Sequence, residues 1–178
     1  MRSGRFPFFA TSASLLLLLS ACAGPAERAA PEDPFAYCAA VGTADRPADH
    51  AARPYRGPAV PDAVAESLRQ VLATPAEVPL ADFARSVSWR CMEGQLYACT
   101  VGANLPCDAK ADSSRLPSAA MTAYCAESPD AAFIPAYVTG RATIYAWRCT
   151  GSLPAVEKQI ATPDARGFLA NIWYPLAP

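Results

Sequence analysis

Histidine is nearly absent from this sequence, which has one, His50, among 178 residues. Protein zinc sites and serine- or cysteine-based nucleophile systems mostly require a histidine beside other ligands or beside the nucleophile, so few of them remain open. The sequence also lacks G-x-S-x-G, S-x-x-K and H-E-x-x-H motifs and glycine-rich phosphate loops. We therefore predict that the protein is not an enzyme and has no catalytic residue, no metal site and no cofactor.

Charge is also scarce in this chain. Charged residues make up 17% of the sequence and the net charge is −1, so the composition offers no basic surface for nucleic acid. An aromatic fraction of 10% at this low charge density argues against disorder. The length suits one domain, with or without a tether. We predict a single globular domain over residues 35–178 that does not bind nucleic acid.

The first 21 residues have the composition of a signal peptide. Arg2 and Arg5 form a positive start, residues 6–19 are largely apolar, and no acidic residue interrupts them. The alternative is a retained transmembrane anchor, but the stretch is shorter than the ~20 uninterrupted apolar residues that span a bilayer. We predict a signal peptide over residues 1–21. Residues 22–34, rich in alanine, proline and charge, are predicted as a flexible tether.

The signal peptide ends in a sequence that resembles the bacterial lipoprotein box. Leu19-Ser20-Ala21-Cys22 directly follows the apolar run. The resemblance implies that Cys22 becomes the lipid-modified mature N-terminus, with the membrane as a partner through this anchor. The next residue is Ala23 and not aspartate, which by the sorting rule of diderm bacteria implies the outer membrane of the cell envelope, facing the periplasm or the cell surface. An ordinary cleavage that leaves Cys22 as a free thiol is the alternative.

The cysteines beyond Cys22 are even in number. They are Cys38, Cys91, Cys99, Cys107, Cys125 and Cys149. In an exported chain, an even set predicts a disulfide framework. No C-x-x-C occurs, which argues against a thioredoxin-type redox pair and against the usual zinc motifs. The sequence leaves the connectivity open; the pair that we favour is Cys107–Cys125, because both flank one helical segment and close a short loop.

Hydrophobic patterning and turn residues predict an α+β fold. Caps and amphipathic spacing predict helices over residues 35–41, 61–73 and 117–127. Runs of β-branched and aromatic residues predict two hairpins, 85–92 with 95–101 and 142–149 with 153–161, and a last strand over 168–174. In the second hairpin, a turn at Gly151-Ser152 places Trp147 opposite Val156 and Ala146 opposite Glu157. We expect a small disulfide-reinforced domain with an antiparallel sheet of about five strands and about three short helices.

The two hairpins share the tripeptide Trp-Arg-Cys, at residues 89–91 and 147–149. Because side chains alternate across a strand, tryptophan and cysteine lie on one face and arginine on the other. We expect the tryptophans in the core, and Arg90 and Arg148 exposed. Together with Tyr97 and Asn104 they form a predicted binding face, since arginine beside aromatic residues is typical of binding hot spots. The alternative is that the arginines pair with local acids such as Glu93 or Glu157.

These segments also carry a family resemblance. Y-A-C-T-V-G-A-N-L-P-C over residues 97–107, with the two Trp-Arg-Cys strands, resembles a family of uncharacterised exported bacterial lipoproteins. The resemblance covers roughly residues 35–175 and implies export and this architecture, but it carries no activity. More loosely, a W-x-C strand in a small lipoprotein is similar to the periplasmic inhibitors of c-type lysozyme, which are β-barrels. Their inhibitory loop motifs are missing here.

Other polar residues give weaker signals. His50 lies in a proline- and alanine-rich loop, where we expect it to be solvated. Asp108 and Asp112 would share a face if the segment after Cys107 were helical, and paired carboxylates can do acid/base work or hold calcium. Capping and solvation are the simpler interpretation of both.

Three classes of function follow from these observations. We favour a membrane-anchored, non-catalytic binding or structural module whose partner is a protein, a peptide or a glycan. The alternatives are an inhibitor of a lysozyme-like enzyme and a carboxylate-based cell-wall hydrolase. An exposed loop bearing aromatic residues would favour the inhibitor. A deep cleft with two carboxylates about 5–10 Å apart would favour the hydrolase.

Overall fold

The computed structural model describes Met1, residues 32–101 and residues 105–178. The predicted signal peptide beyond Met1, Cys22, most of the predicted tether and Asn104 lie outside the described residues. All elements below belong to the unit Pro31–Pro178. Within the described ranges, the structure has no helix of the length and hydrophobicity needed to cross a bilayer.

The described residues form an α+β fold, as predicted. The helices are α1 (Pro34–Val41), α2 (Asp62–Val71), α3 (Leu80–Ala84), α4 (Ala119–Glu127) and α5 (Ala136–Thr139), with 3-10 turns at Pro47–Asp49 and Ala170–Ile172. The strands are β1 (Val87–Met92), β2 (Gln95–Thr100), β3 (Tyr145–Thr150), β4 (Leu153–Gln159) and β5 (Tyr174–Leu176). They divide into two antiparallel sheets, one ordered β1-β2-β5 and the other β3-β4.

Local chemistry explains where α1 begins and ends. The Asp33 carboxylate accepts the N–H of Ala36 at 2.7 Å, and Pro34 occupies the first turn, where its missing N–H costs no helical hydrogen bond. Gly42 ends the helix at φ 75°, a conformation that glycine adopts without strain. Glu32, inside the predicted tether, is ion-paired with Arg53, so the domain makes ordered contacts from that residue onward.

The first hairpin pairs the two strands that the sequence predicted for it. Glu93 and Gly94 both have positive φ, as a tight hairpin turn requires, and Arg90 faces Tyr97 across the pair. The prediction of a last strand over 168–174 is wrong in position as well as in length, because the observed strand shares only Tyr174 with it. Only Tyr174–Leu176 pairs with β2, because residues 170–172 form a 3-10 turn instead of an extended strand.

The second hairpin departs from its predicted register at one point. Trp147 lies opposite Val156 as expected, but Ala146 pairs with Lys158 and not with Glu157. A register shift between Ala146 and Trp147 inserts one residue into β4. Such a bulge on an edge strand disrupts the ladder locally and protects the edge, and it leaves no signal in the alternation of the sequence.

All six cysteines of the described domain are paired, as predicted, but not in the pattern that we favoured. The disulfides are Cys38–Cys91, Cys99–Cys107 and Cys125–Cys149. The expected Cys107–Cys125 bond is wrong. Cys125 lies on α4, which packs on the second hairpin, so its nearest partner is Cys149 on β3. Each Trp-Arg-Cys cysteine therefore bonds to a helix that precedes it in the chain, α1 for Cys91 and α4 for Cys149.

The buried residues form two clusters. The first core surrounds Trp89 and includes Tyr37, Tyr55, Val64, Leu68, Leu96 and Leu176. The second core surrounds Trp147 and includes Met121, Ile134, Ile144, Phe168, Ile172 and Trp173. The β1-β2-β5 sheet contributes most of its buried side chains to the first core, while β3 and Cys99 of β2 belong to the second.

Candidate functional site

The two arginines of the predicted binding face have opposite environments. Trp89 and Trp147 are 6% and 3% exposed, which confirms both as core residues. Arg148 is exposed as expected, but Arg90 is 0% exposed, so its prediction as a surface residue is wrong. The prediction that side chains alternate between the two faces of β1 is correct, because Arg90 does lie on the face opposite Trp89. That second face is covered by residues 164–173, and the local pattern of β1 carries no information about this cover.

Arg90 lies among aromatic rings with one ionic partner. Its guanidinium carbon is 4.3 Å from the ring centre of Trp173, 4.4 Å from Phe168 and 5.7 Å from Tyr97. Its Nη2 donates to the carboxylate of Asp164 in a buried ion pair. Tyr97, a second residue of the predicted face, is thus brought beside Arg90. The contacts join a strand of the first core to rings of the second.

Asp164 is held by hydrogen bonds from three directions. Besides Arg90, its carboxylate accepts the backbone N–H groups of Arg166 at 2.8 Å and Phe168 at 3.1 Å. Burial by itself would raise the pKa of Asp164, but these hydrogen bonds outweigh it, so the pKa lies below its usual range. Asp164 is therefore a carboxylate fixed in its ionised form, which suits structure and not proton transfer.

Three buried side-chain polar atoms of the described residues have no hydrogen-bond partner. They are Nε and Nη1 of Arg90 and Nε1 of Trp173, and all three are donors. For Arg90, the surrounding ring faces provide cation–π contacts in place of acceptors. Trp173 has no such substitute. In contrast, the indole N–H of Trp89 donates to the carbonyl of Ala59 at 2.7 Å, and that of Trp147 reaches Thr143 Oγ1 at 3.4 Å.

A cleft of about 700 Å³ lies on this side of the domain. It is lined by residues 43–51 and 57–60, by 87–89 of β1, and by side chains from 107–110 and 166–173. Tyr55, Trp89, Phe168 and Trp173 form its buried floor. A volume of this size is typical of small-molecule sites, which combine an apolar lining with a few placed polar groups.

The rings of the floor pack against one another and against cations. Tyr55 packs edge-to-face on Trp89 with ring centres 4.9 Å apart. Phe168 has Arg90 over its ring at 4.4 Å and Lys110 Nζ at 3.5 Å. These rings are therefore held in place by their neighbours, and the indole N–H of Trp173 is itself buried.

Ion pairs hold the rim of the cleft. Asp45 accepts from Lys110 Nζ at 2.9 Å and from Arg166 Nε at 2.9 Å, and Lys110 also donates to the Arg166 carbonyl at 2.7 Å. Burial would raise the pKa of Asp45, but the two cations outweigh it and the pKa lies below its usual range. The same contact raises the pKa of Arg166. The Lys110 and Arg166 side chains are 52% and 47% exposed, so they remain open to solvent.

His50 lines this cleft, although from the sequence we expected it to be solvated in a loop. Its Nδ1 accepts the backbone N–H of Arg53 at 3.2 Å, which leaves the proton of the neutral ring on Nε2. Ser88 also lines the cleft, and its hydroxyl donates to Asp108 at 3.3 Å. A Ser-His-Asp triad needs the opposite tautomer, with Nδ1–H donating to a carboxylate and Nε2 accepting from serine. These residues therefore form no activated nucleophile.

The two aspartates considered together in the sequence are separated by the fold. Asp108 lines the cleft, whereas Asp112 forms an isolated bridge with Thr143 and its carboxylate accepts the N–H of Ser114 at 2.8 Å. The segment after Cys107 is a turn and not a helix. Across residues 32–101 and 105–178, no cluster of three or more His, Cys, Asp or Glu side chains is placed to hold a metal.

A second, smaller groove of about 350 Å³ lies beside the second hairpin. It is lined by residues that include Phe133, Ile134, Tyr145, Trp147 and Ile160. Phe133 and Ile160 are 66% and 57% exposed. Arg148 lines neither the cleft nor this groove, and Asn104 of the predicted face lies outside the described residues.

Sequence reasoning missed Asp45, Lys110, Arg166 and Trp173 as site residues. They come from three separate stretches of the chain and carry no motif. Comparisons with family models, with curated proteins and with solved structures found no match.

Proposed function

We propose that this chain is an exported, lipid-anchored binding module of the bacterial cell envelope, and that the cleft lined by Asp45, Lys110, Arg166 and Trp173 is its ligand site. The observation that carries the proposal is the cleft itself. It combines an apolar floor with charged groups that are fixed in place by other residues of the domain, and its polar groups do not assemble a nucleophile with a base.

Export is supported by the cysteines. Six are paired in three disulfides, and such bonds persist in oxidising compartments such as the periplasm and the cell surface. The sequence supplies the signals for export and anchoring, namely a signal peptide followed by the lipoprotein box at Cys22. Membrane attachment then comes from the lipid, because a chain of net charge −1 gains little from anionic headgroups.

Ligand binding is supported by the rigidity of the cleft. The Asp45 ion pairs join the loop after α1 to residues 110 and 166, and the Arg90–Asp164 pair fixes the segment that contributes Phe168 and Trp173. A site whose groups are already held in position loses less conformational entropy on binding.

The carboxylates of the cleft give little support to the alternative function, hydrolysis of cell-wall glycan. A glycosidase needs one carboxylic acid with a raised pKa. The pKa of Asp45 is lowered instead, while Asp49 and Asp108 are exposed. The inhibitor alternative rests on a different feature, the exposed aromatic residues Phe133 and Tyr137 beside the second groove.

The site assignment is tested by two neighbouring substitutions. Ala51 and Ala52 are both exposed in one loop, but only Ala51 lines the cleft. The exported protein in non-ionic detergent is immobilised and exposed to a solubilised extract of the bacterial envelope, and retained components are identified by mass spectrometry. Ala51→Trp should lose components that wild type and Ala52→Trp retain. Equal retention by Ala51→Trp, with unchanged thermal unfolding, would contradict the cleft as the ligand site.

The anchor is tested separately at Cys22. Cells fed with labelled palmitate should label the wild-type chain, and Cys22→Ser should remain an unlabelled precursor. Label in the Cys22→Ser chain would mean that the lipid is attached elsewhere, and the assignment of Cys22 as the lipidation site would be wrong.

A further inference from the structure

We propose that the outer face of the second hairpin contacts the anionic lipid surface of the membrane to which the chain is anchored. This inference rests on the proposed lipid anchor at Cys22. The acyl chains supply the attachment, and the outer face determines which side of the domain meets the membrane. The outer face is the side of the β3-β4 sheet away from the second core, and its residues are Phe133, Arg148, Leu153, Lys158 and Ile160.

The position of Arg148 defines this face. Trp147 and Cys149 on either side of Arg148 are buried in the second core, so Arg148 projects from the opposite side of β3. Cys149 is bonded to Cys125 of α4, so that helix lies on the core side of the strand. Arg148 itself is exposed.

The register of the hairpin adds residues of β4 to the outer face. Leu153 lies opposite Thr150, and Lys158 lies opposite Ala146. Thr150 and Ala146 are each two residues from Arg148, and residues directly opposite one another share a face. Ile160 follows Lys158 by two residues and therefore lies on the same side.

A segment on the other side of β3 contributes Phe133. The Cys149 N–H donates to the Ala131 carbonyl at 2.9 Å, and the Ile134 N–H donates to the Trp147 carbonyl at 2.7 Å, so residues 131–134 run along β3. Phe133 precedes Ile134, which is 5% exposed and belongs to the second core, whereas Phe133 is 66% exposed. Phe133 therefore lies on the outer side, beside β3.

Three large apolar side chains of the outer face are exposed. Phe133 and Leu153 are each 66% exposed and Ile160 is 57% exposed. Phe133 and Ile160 also line the groove of about 350 Å³, whose lining includes no acidic residue. Exposed apolar surface of this kind is typical of a site that contacts another protein or a membrane.

The charge of the hairpin favours an anionic partner. Arg148 and Lys158 are exposed, and neither forms an ion pair or a side-chain hydrogen bond with the described residues. With Glu157 at the bulge, β3 and β4 together have a net charge of +1. Removal of Arg2 and Arg5 with the signal peptide leaves 13 of the 15 basic residues against 16 acidic ones, a net charge of −3. The hairpin is thus a positive region of an acidic chain.

The length of the tether favours lipid over a soluble partner. Ten residues separate Cys22 from Glu32, where the described domain begins, and ten extended residues span at most about 35 Å. A domain of about 150 residues has a radius of gyration of about 15 Å, so the tether is comparable with the width of the domain. A contact restrained in this way is effectively intramolecular, and weak attraction is enough to populate it. Cations and apolar side chains both attract a protein surface to anionic lipid.

Quenching of an added tryptophan by brominated lipid tests the contact. The exported, lipidated protein is reconstituted into vesicles of phosphatidylcholine and phosphatidylglycerol, with or without bromine on the acyl chains. The emission added by Phe133→Trp should be quenched by bromine, because bromine quenches tryptophan that contacts the acyl chains. Leu153→Trp, at a second position of the outer face, should be quenched likewise. Ala123→Trp is the matched control and should keep its emission, since Ala123 is exposed on α4, which lies on the core side of the hairpin. The wild-type chain, whose three tryptophans are buried, gives the background.

Charge variants separate attraction to anionic lipid from nonspecific contact. In the Phe133→Trp chain, Arg148→Gln combined with Lys158→Gln should lower the ratio of quenched to unquenched protein by about fivefold for each cation removed. Arg56→Gln combined with Arg85→Gln also removes two exposed cations, but from outside the second hairpin, and should leave the ratio unchanged. Vesicles of phosphatidylcholine alone should show weaker quenching than the anionic vesicles.

Two results would overturn the inference. If Phe133→Trp and Leu153→Trp are quenched no more than Ala123→Trp, the outer face does not meet lipid, and a protein becomes the partner of its apolar side chains. If the two pairs of charge variants reduce quenching equally, Arg148 and Lys158 do not direct the contact.

Failure here is distinguishable from failure of the proposed anchor. If palmitate labels the wild-type chain and not Cys22→Ser while the outer-face tryptophans stay unquenched, the chain is lipid-anchored and only the contact is wrong. If the wild-type chain takes no label, the anchor itself is wrong. The contact requires a bilayer, which the solubilised extract used to test the cleft does not supply, so the two surfaces are tested independently.

Discussion

The two Trp-Arg-Cys strands place the same three side chains in different surroundings. In both, the tryptophan is buried and the cysteine is bonded to a helix that precedes it in the chain. The arginines differ. Arg90 is 0% exposed, with Asp164 and three aromatic rings around it, whereas Arg148 is exposed on its strand.

The difference comes from the chain segments that pack across each sheet. The C-terminal segment adds β5 to the first hairpin and brings Asp164, Phe168 and Trp173 over Arg90. The second hairpin is a two-stranded sheet, and β4 remains its edge. A short motif thus sets which face of a strand a side chain occupies, but the long-range cover of that face decides whether an arginine stabilises the fold or meets solvent.

Of the substitutions that distinguish the two hairpins, the one at Arg90 is expected to lower the free energy of unfolding most. Arg90→Met leaves the buried Asp164 carboxylate without its cation, and breaking a buried ion pair in this way costs roughly 3–5 kcal/mol in the free energy of unfolding. Urea denaturation measures the loss. Arg90→Met combined with Asp164→Asn should be less destabilised than the sum of the two single variants. Additive losses would mean that the pair is not coupled.

The next largest effect is expected from removing the disulfides that join each hairpin to its helix. In the chain-entropy model, a closed loop of 53 residues for Cys38–Cys91 corresponds to about 4 kcal/mol of stability. The 24 residues of Cys125–Cys149 correspond to about 3.5 kcal/mol. We expect the Cys38→Ala/Cys91→Ala variant to melt below the Cys125→Ala/Cys149→Ala variant. The reverse order would show that packing around α4, and not loop length, dominates this comparison.

Acid should weaken the first hairpin's contacts selectively. The pKa values of Asp164 and Asp45 are lowered in the folded protein, so their contribution to stability is present above the unfolded-state value of about 4 and is lost as the pH falls through the folded values. Asp164→Asn should be less stable than wild type at neutral pH, and the gap between the two should narrow below about pH 4. A gap that stays constant from neutral to acid pH would argue against an ionised Asp164.

The smallest effect is expected at the second hairpin. Arg148→Met alters an exposed side chain and should change the free energy of unfolding by no more than about 0.5 kcal/mol. This variant is the matched control for Arg90→Met, since both change the middle residue of the same tripeptide. A loss comparable to that of Arg90→Met would mean that Arg148 also has a buried partner.

The sequence predicted local features more accurately than tertiary ones. The helix over residues 35–41, the first hairpin and the buried tryptophans follow from short-range chemistry, and all were expected. The disulfide partners, the bulge opposite Ala146 and the burial of Arg90 depend on segments that are distant in the chain.

The same limit applies to the candidate site. Arg90 and Asp164 are 74 residues apart, and Asp45 and Arg166 are 121 apart. One signal was present in the sequence, since Asp164, Arg166 and Phe168 lie within a turn of five residues that packs over β1. Nothing in that turn indicated the strand that it would cover.

The most direct test of the cleft as the binding region is hydrogen exchange of the exported protein with and without a solubilised envelope extract. The account predicts slower exchange over residues 43–51, 57–60 and 166–168, the segments that contribute to the lining of the cleft, and unchanged exchange over 145–159 in the second hairpin. Slower exchange over residues 145–159 with an unchanged 43–60 segment would contradict it and would move the binding site to the exposed arginine of the second Trp-Arg-Cys strand.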